Sequence, residues 1–157
     1  MFISPVIIKI SILIFSNESE VSMAFMNWDD KYSVGVKIMD DQHKVLIDLI
    51  NKLHEAMLAG KGKQEAEVVI KGLVDYTVFH FGEEEKLLTA NNYPGLLNQQ
   101  TKHKGFVSKV QEFQEDVKSG KLAIGMKVSQ FLKDWLFEHI MGEDQKYAAF
   151  LNNKGIK

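Results

Sequence analysis

The stretch DQHKVLIDLINKLHEAMLA, residues 41–59, carries His43, Leu46, Ile47, Ile50, His54 and Met57 at the spacing of one helical face. Apolar recurrence at i, i+3, i+4 and i+7 marks an amphipathic helix and not a strand, which would alternate with period two. Asp40 or Asp41 stands where a side-chain cap would open this helix, and Gly60-Lys61-Gly62 where it would stop. Outward from it, the same period recurs three times. A second helix is expected over Gln64 to Thr89, turning Val69, Leu73, Tyr76, His80, Glu84 and Leu87 to one side. Asn91-Asn92-Tyr93-Pro94 breaks the chain, with Pro94 suited to the first turn of the next element. A third helix, Gly95 to Lys118, aligns Gln99, His103, Phe106, Val110, Phe113 and Val117, and Ser119-Gly120 ends it. The fourth, Ile124 to Met141, turns Val128, Phe131, Leu132, Trp135 and His139 inward, with helix resuming after Gly142 to Leu151. Long helices joined by short connections pack as antiparallel neighbours, so the expected fold is all-α: an up-down-up-down four-helix bundle.

The rest of the chain divides in two. Residues 26–40 have no clear period and read as an arm crossing the bundle, with Trp28 as an apolar plug. Residues 1–25 are set outside the fold. Met1 to Phe15 is apolar but too short to span a bilayer, and it lacks the basic start and small-residue cleavage site of a signal peptide. An over-extended start, with translation from Met23 or Met26, and a weak export or membrane-association signal are both open readings. The bundle domain is then 26–157.

Composition narrows the chemistry. The net charge of −2 gives no electrostatic attraction to nucleic acid or to an anionic membrane. Every basic residue is lysine, so the bidentate guanidinium that reads phosphates and guanine edges is missing. The absence of cysteine removes disulfides, thiolate metal sites and thiol nucleophiles, and is compatible with a reducing, cytoplasmic setting.

Four of the five histidines, His43, His80, His103 and His139, follow one another at separations of 37, 23 and 36 residues. His80 lies about ten residues before the 91–94 break and His103 about ten after it, so both sit roughly 15 Å below that end of an antiparallel pair. His43 and His80 are each about 18 residues from the 60–63 connection, and His43 and His139 share the other end. Four imidazoles at one depth, with Glu84 at i+4 from His80 and Asp144 near His139, make a buried metal site. His54, eleven residues beyond His43 and so about 16 Å along the axis, is out of reach. Nitrogen and carboxylate donors without thiolate suit non-haem iron, manganese or zinc, and two carboxylates able to bridge favour a dinuclear site. No glutamate has a histidine three residues later, which disfavours the ferritin-like dinuclear class, and His-Glu-x-x-His is absent. Asp144, at i+5 from His139, lies 140° round an ideal helix. It reaches the same centre only through a local distortion, for which Gly142 is well placed.

These residues carry a resemblance. Asp-Asp-Gln-His (40–43), His-Phe-Gly-Glu-Glu-Glu (80–85), Tyr-Pro (93–94), His103 with Phe106, and Trp-Leu-Phe-Glu-His-Ile (135–140) followed by Asp144 and Tyr147 are similar to the bacterial hemerythrins, over about Met26 to Leu151. The resemblance implies two non-haem iron ions with a bridging oxo or hydroxo in a four-helix bundle that binds dioxygen reversibly. It implies that His43 and His80 hold the iron with an open position, that Glu84 and Asp144 bridge, and that His103 and His139 hold the second iron. It also implies a third histidine four residues before His103, where this chain has Gln99. A glutamine amide oxygen is a weak, neutral donor, so the second iron would bind more loosely or take Gln99 or water as its remaining ligand, leaving an exchangeable position that favours autoxidation or peroxide chemistry over clean oxygen carriage. Alternatively Gln99 only hydrogen-bonds a ligand. The expected role is oxygen storage, transport or sensing, not catalysis, with an unidentified reductant and with nitric oxide or peroxide as further ligands. A di-iron oxidase, peroxidase or nitric-oxide-handling enzyme, an iron-handling protein, and a metal-free interaction module are the alternatives.

Overall fold

A computed structural model of the chain describes residues 24–60, 62–121 and 125–157. The expected tail lies almost entirely outside the described residues. A 3-10 turn at Asp30–Tyr32 precedes α1 (Lys37–Leu58), α2 (Gly62–Ala90), α3 (Leu96–Lys118) and α4 (Gly125–His139), and a π-helical turn (Ile140–Asp144) joins α4 to α5 (Gln145–Asn153). α1 packs against α2 and α4, and α2 against α3, which makes the up-down-up-down four-helix bundle. Among the described residues there is no strand, and no helix is long and apolar enough to cross a membrane.

Two boundaries differ from the expectation. α1 opens four residues earlier than Asp41, after Val36, without a side-chain cap. Asp40, inside the helix, instead reaches back to accept from the Val34 N–H (2.8 Å) and the Ser33 hydroxyl (2.6 Å). It therefore satisfies the loop that feeds the helix, which a pattern reading mistakes for a cap. The buried face of α2 is also rotated from the expected one. Ala66, Ile70, Leu73, Thr77, His80, Phe81, Glu84 and Leu88 are buried, while Val69, Tyr76 and Leu87 flank them half-exposed. A helix with apolar residues on both sides of its true centre gives two near-equal stripes, and packing decides between them.

The arm is held by a reciprocal pair: Met26 N–H donates to Asn51 Oδ1 and Asn51 Nδ2 donates to the Met26 carbonyl, both at 2.8 Å. Trp28 packs against the larger core cluster. It sits half-exposed, edge-on to Tyr32, with the Lys44 ammonium 4.8 Å from its ring centre and its indole N–H on Asp30. Gly35 turns the loop at φ +65°, where an added Cβ would meet the Asn152 amide at 2.8 Å, so both conformation and space demand glycine. Asn152 donates from there to the Val34 carbonyl, and Gln145 to that of Ser33, stapling α5 to the loop before α1.

The apolar core is in two parts. One cluster runs from Leu46, Ile50 and Leu53 on α1 through Ile70 and Leu73 on α2, Phe106 and Val110 on α3, to Leu132 and Leu136 on α4. The other gathers Val34, Val36, Met39, Leu88, Tyr147, Ala148 and Leu151 at the opposite end. Between them every helix carries buried polar groups: Gln42 and His43, His80 and Glu84, Gln99 and His103, His139 and Asp144. A polar layer in the middle of a bundle costs desolvation free energy that only hydrogen bonds or bound ions offset.

Candidate metal centre

The layer is made by position on each helix. His43 sits near the start of α1, His80 and Glu84 one turn apart on α2, His103 in the second turn of α3, and His139 at the end of α4. His43 and His80 meet edge-on at 4.9 Å between ring centres, and His103 and His139 lie at the same separation. His103 Nε2 is 3.1 Å from His139 Nε2 and 3.0 Å from Glu84 Oε2. Donor atoms of His43, His80 and Glu84 all lie within 4.8 Å of one another, and so do those of Glu84, His103 and His139. Two triads thus share one carboxylate.

Asp144 completes the layer through the π turn. Gln145 N–H reaches back five residues to the Ile140 carbonyl, and the widened turn brings Asp144 round beneath His139. Its Oδ1 is 3.1 Å from His139 Nε2, and its Oδ2 is 3.4 Å from His43 Nε2. Each oxygen therefore faces a different histidine pair. The distortion expected between His139 and Asp144 is present, but the extra residue in the turn supplies it. Gly142 has no positive φ and an added Cβ there would meet nothing within 4 Å.

The supporting hydrogen bonds come from residues that the sequence pattern did not single out. His80 Nδ1 is 2.8 Å from Gln42 Oε1, an acceptor, so Nδ1 donates and Nε2 is left with its lone pair. His103 Nδ1 likewise donates to Glu85 Oε1 at 2.8 Å. Fixing one ring nitrogen this way orients the other as a metal donor. Gln42 precedes His43 and Glu85 follows Glu84. Off the main face, each reaches a histidine on a neighbouring helix. Packing also locks the rings, since Phe81 stacks on His103 at 3.7 Å and Trp135 on His139 at 4.4 Å.

The donor set fits cations and is poorly satisfied without them. Both nitrogens of His43, both oxygens of Glu84, Asp144 Oδ2 and Gln99 Oε1 are buried with no hydrogen-bond partner. Donors about 2.1 Å from one ion and at right angles stand about 3 Å apart, close to the spacings around His103 Nε2. The electrostatics agree. Burial lowers the pKa of His43, that of His139 to about 4, and that of His80 well below 6.5. Burial also lowers His103, but the adjacent Glu84 carboxylate and the hydrogen bond to Glu85 outweigh it and raise the net value. Burial pushes Asp144 up to about 6 against the pull of His43 and the Gln99 hydrogen bond. Tyr147, fully buried beside Glu84, is held well above 10, first by burial and then by the charges of Glu84 and Asp144.

Gln99 is buried next to the layer, and its amide Nε2 donates to Asp144 Oδ1 at 2.9 Å. His54 is far from it, stacked on Phe25 at 3.8 Å.

Comparison with known proteins agrees with this architecture. The family described as Hemerythrin HHE cation binding domain matches residues 34–151. A bacteriohemerythrin of Stenotrophomonas maltophilia is 34% identical over 126 residues, covering 80% of this chain and 81% of its own. One from Methylococcus capsulatus is 30% identical over 131 residues, 83% of this chain and 99% of its own. A wild-type hemerythrin crystal structure superposes with a TM-score of 0.76 at 29% identity, covering 80% of this chain and 97% of that one.

Proposed function

Because the chain belongs to the hemerythrin family of cation-binding domains, we infer that its central layer holds two iron ions and that the protein binds dioxygen reversibly. The observation that carries this reading is the sharing of Glu84 between two triads of buried donors. His43 and His80 would hold one ion, His103 and His139 the other, and Glu84 and Asp144 would bridge them. Two ferrous ions so held supply a reversible site for a small diatomic ligand.

The chain's own residues make that site selective. Leu46, Ile47, Phe81 and Ile140 on one side, and Met39, Leu88 and Tyr147 on the other, wall it with apolar groups. A wall of this kind keeps bulk water and large reductants away, which favours ligand release over reduction. Gln42 and Glu85 hold His80 and His103 in the tautomer that leaves Nε2 free. The Tyr147 phenol, kept protonated by its surroundings, lies beside Glu84 with its hydroxyl buried and without a hydrogen-bond partner.

The test is iron analysis with an optical titration of the reduced protein. Two irons per chain, and a spectrum that changes on aeration and reverts under vacuum, are the expected result. Trace iron, or no response to dioxygen, overturns it. A second reading, favoured by the amide of Gln99 in the layer, is an enzyme that consumes dioxygen or peroxide. It requires steady oxygen uptake with excess reductant instead of a reversible change.

A further inference from the structure

The two halves of the polar layer are not equally enclosed. His43 and His80 are 0% and 1% exposed, between the apolar clusters, and His103 and His139 are 2% and 5% exposed. On the other half a cavity of about 220 Å³ opens against the layer, lined by Lys102, Trp135, Glu138, His139 and Glu143. Its lining includes a member of the donor set, His139, and the indole that covers that ring. Hydrogen bonds tie α3 to the π turn on this same side. Asn98 donates to Glu143 Oε2 at 2.7 Å and Gln99 to Asp144 Oδ1 at 2.9 Å. Asp144 Oδ1 thus stands between the Gln99 amide and His139, and the Gln99 carbonyl oxygen is left buried without a partner.

A hydrated divalent cation does not pass through packed leucine, methionine and phenylalanine, because shedding its water there has no compensation. It does approach along a polar wall bearing carboxylates, where the field raises its local concentration. We propose that the two cation positions exchange unequally, and that the one between His103 and His139 is filled and emptied through the Lys102–Glu138–Glu143 cavity. This rests on the two-cation reading of the layer. The same position is the weaker one. The Gln99 amide is turned as a donor to Asp144 Oδ1, so that oxygen divides itself between a hydrogen bond and the ion. The charges at the mouth set the rate: Glu138 draws a cation in and Lys102 opposes it, while Glu143 is already paired with Lys146 at 3.0 Å.

The experiment uses the full chain carrying Trp28→Phe, so that Trp135, beside His139, is its single indole. The chelator-stripped protein is mixed with cobalt(II), with visible absorption counting both positions and Trp135 fluorescence reporting the near one. The expected result is two uptake phases, with the fluorescence quenched in the fast one. Lys102→Glu should speed that phase and Glu138→Lys slow it, each by roughly two- to tenfold at low salt, fading as salt screens the mouth. Lys71→Glu, on the exposed face of α2, should change neither phase. Two cobalt ions taken up with rates indifferent to Lys102 and Glu138, or with quenching in the slow phase, overturn the route. Failure to take up two cobalt ions overturns the two-cation reading beneath it.

Discussion

Asp144 shows how a single residue can be costly to the fold and necessary to the site. Its carboxyl is raised by burial to about 6, so at neutral pH its charge is carried against the preference of its surroundings. Asp144→Asn should therefore act in opposite directions. Metal affinity should fall by roughly tenfold or more, while the chelated protein gains on the order of 2 kcal/mol at pH 7. Metal titration and urea unfolding of the same variant check both signs. His54→Ala makes the complementary case. It removes a ring stacked on Phe25, costing about 1 kcal/mol, and should leave metal stoichiometry unchanged. At this scale the meeting of His43, His80, Glu84, His103 and His139 in one layer was legible from spacing, because depth along a helix is a linear function of residue number. Gln42, Glu85 and Phe81 were not assigned roles. Each acts on a ring from a neighbouring helix, and periodicity within one helix does not encode such a pairing.

Among the elements, the π turn is decisive. In an uninterrupted α-helix Asp144 would point about 140° away from His139; the i+5 hydrogen bond to Ile140 brings it round. Inserting one alanine after the exposed Met141 should carry Asp144 about 100° further round and out of the layer. Metal content should drop sharply while far-UV circular dichroism stays close to that of the parent. Gly142→Ala is the contrast. With no positive φ and open space for a Cβ, it should be neutral or stabilising by about 0.5–1 kcal/mol, with full metal content. The sequence located the distortion, since residues 139 and 144 could not otherwise converge. It did not reveal the kind, because an inserted residue leaves no compositional mark. The rotation of the α2 face was illegible for a related reason. Val69 and Ile70, or Leu87 and Leu88, are equally apolar, and only the neighbouring helices choose between them.

For the molecule as a whole, the histidines set the response to acid. His43, His80 and His139 have folded values below 6.5, His139 at about 4, so each is neutral when folded and protonated when unfolded across that interval. Asp144 works oppositely, binding a proton in the folded state between 3.8 and about 6. His54 is lowered too, so four histidines against one carboxyl leave the unfolded chain binding more protons, and stability of the chelated protein should fall as pH drops below about 6.5. His103, raised when folded, adds stability that is present below 6.5 and lost as pH rises through its folded value. Urea midpoints measured from pH 4.5 to 8 with chelator present should trace this shape. The divided core has a consequence of its own. A band of desolvated polar groups separates the Leu53–Leu132 cluster from the Met39–Leu151 cluster, so little side-chain packing couples the two ends. Ions gripped by all four helices would act as the fastener between them. Hydrogen exchange of the chelated protein should then show the Met39–Leu151 end opening alone, ahead of the rest, and the loaded protein opening as a single cooperative unit.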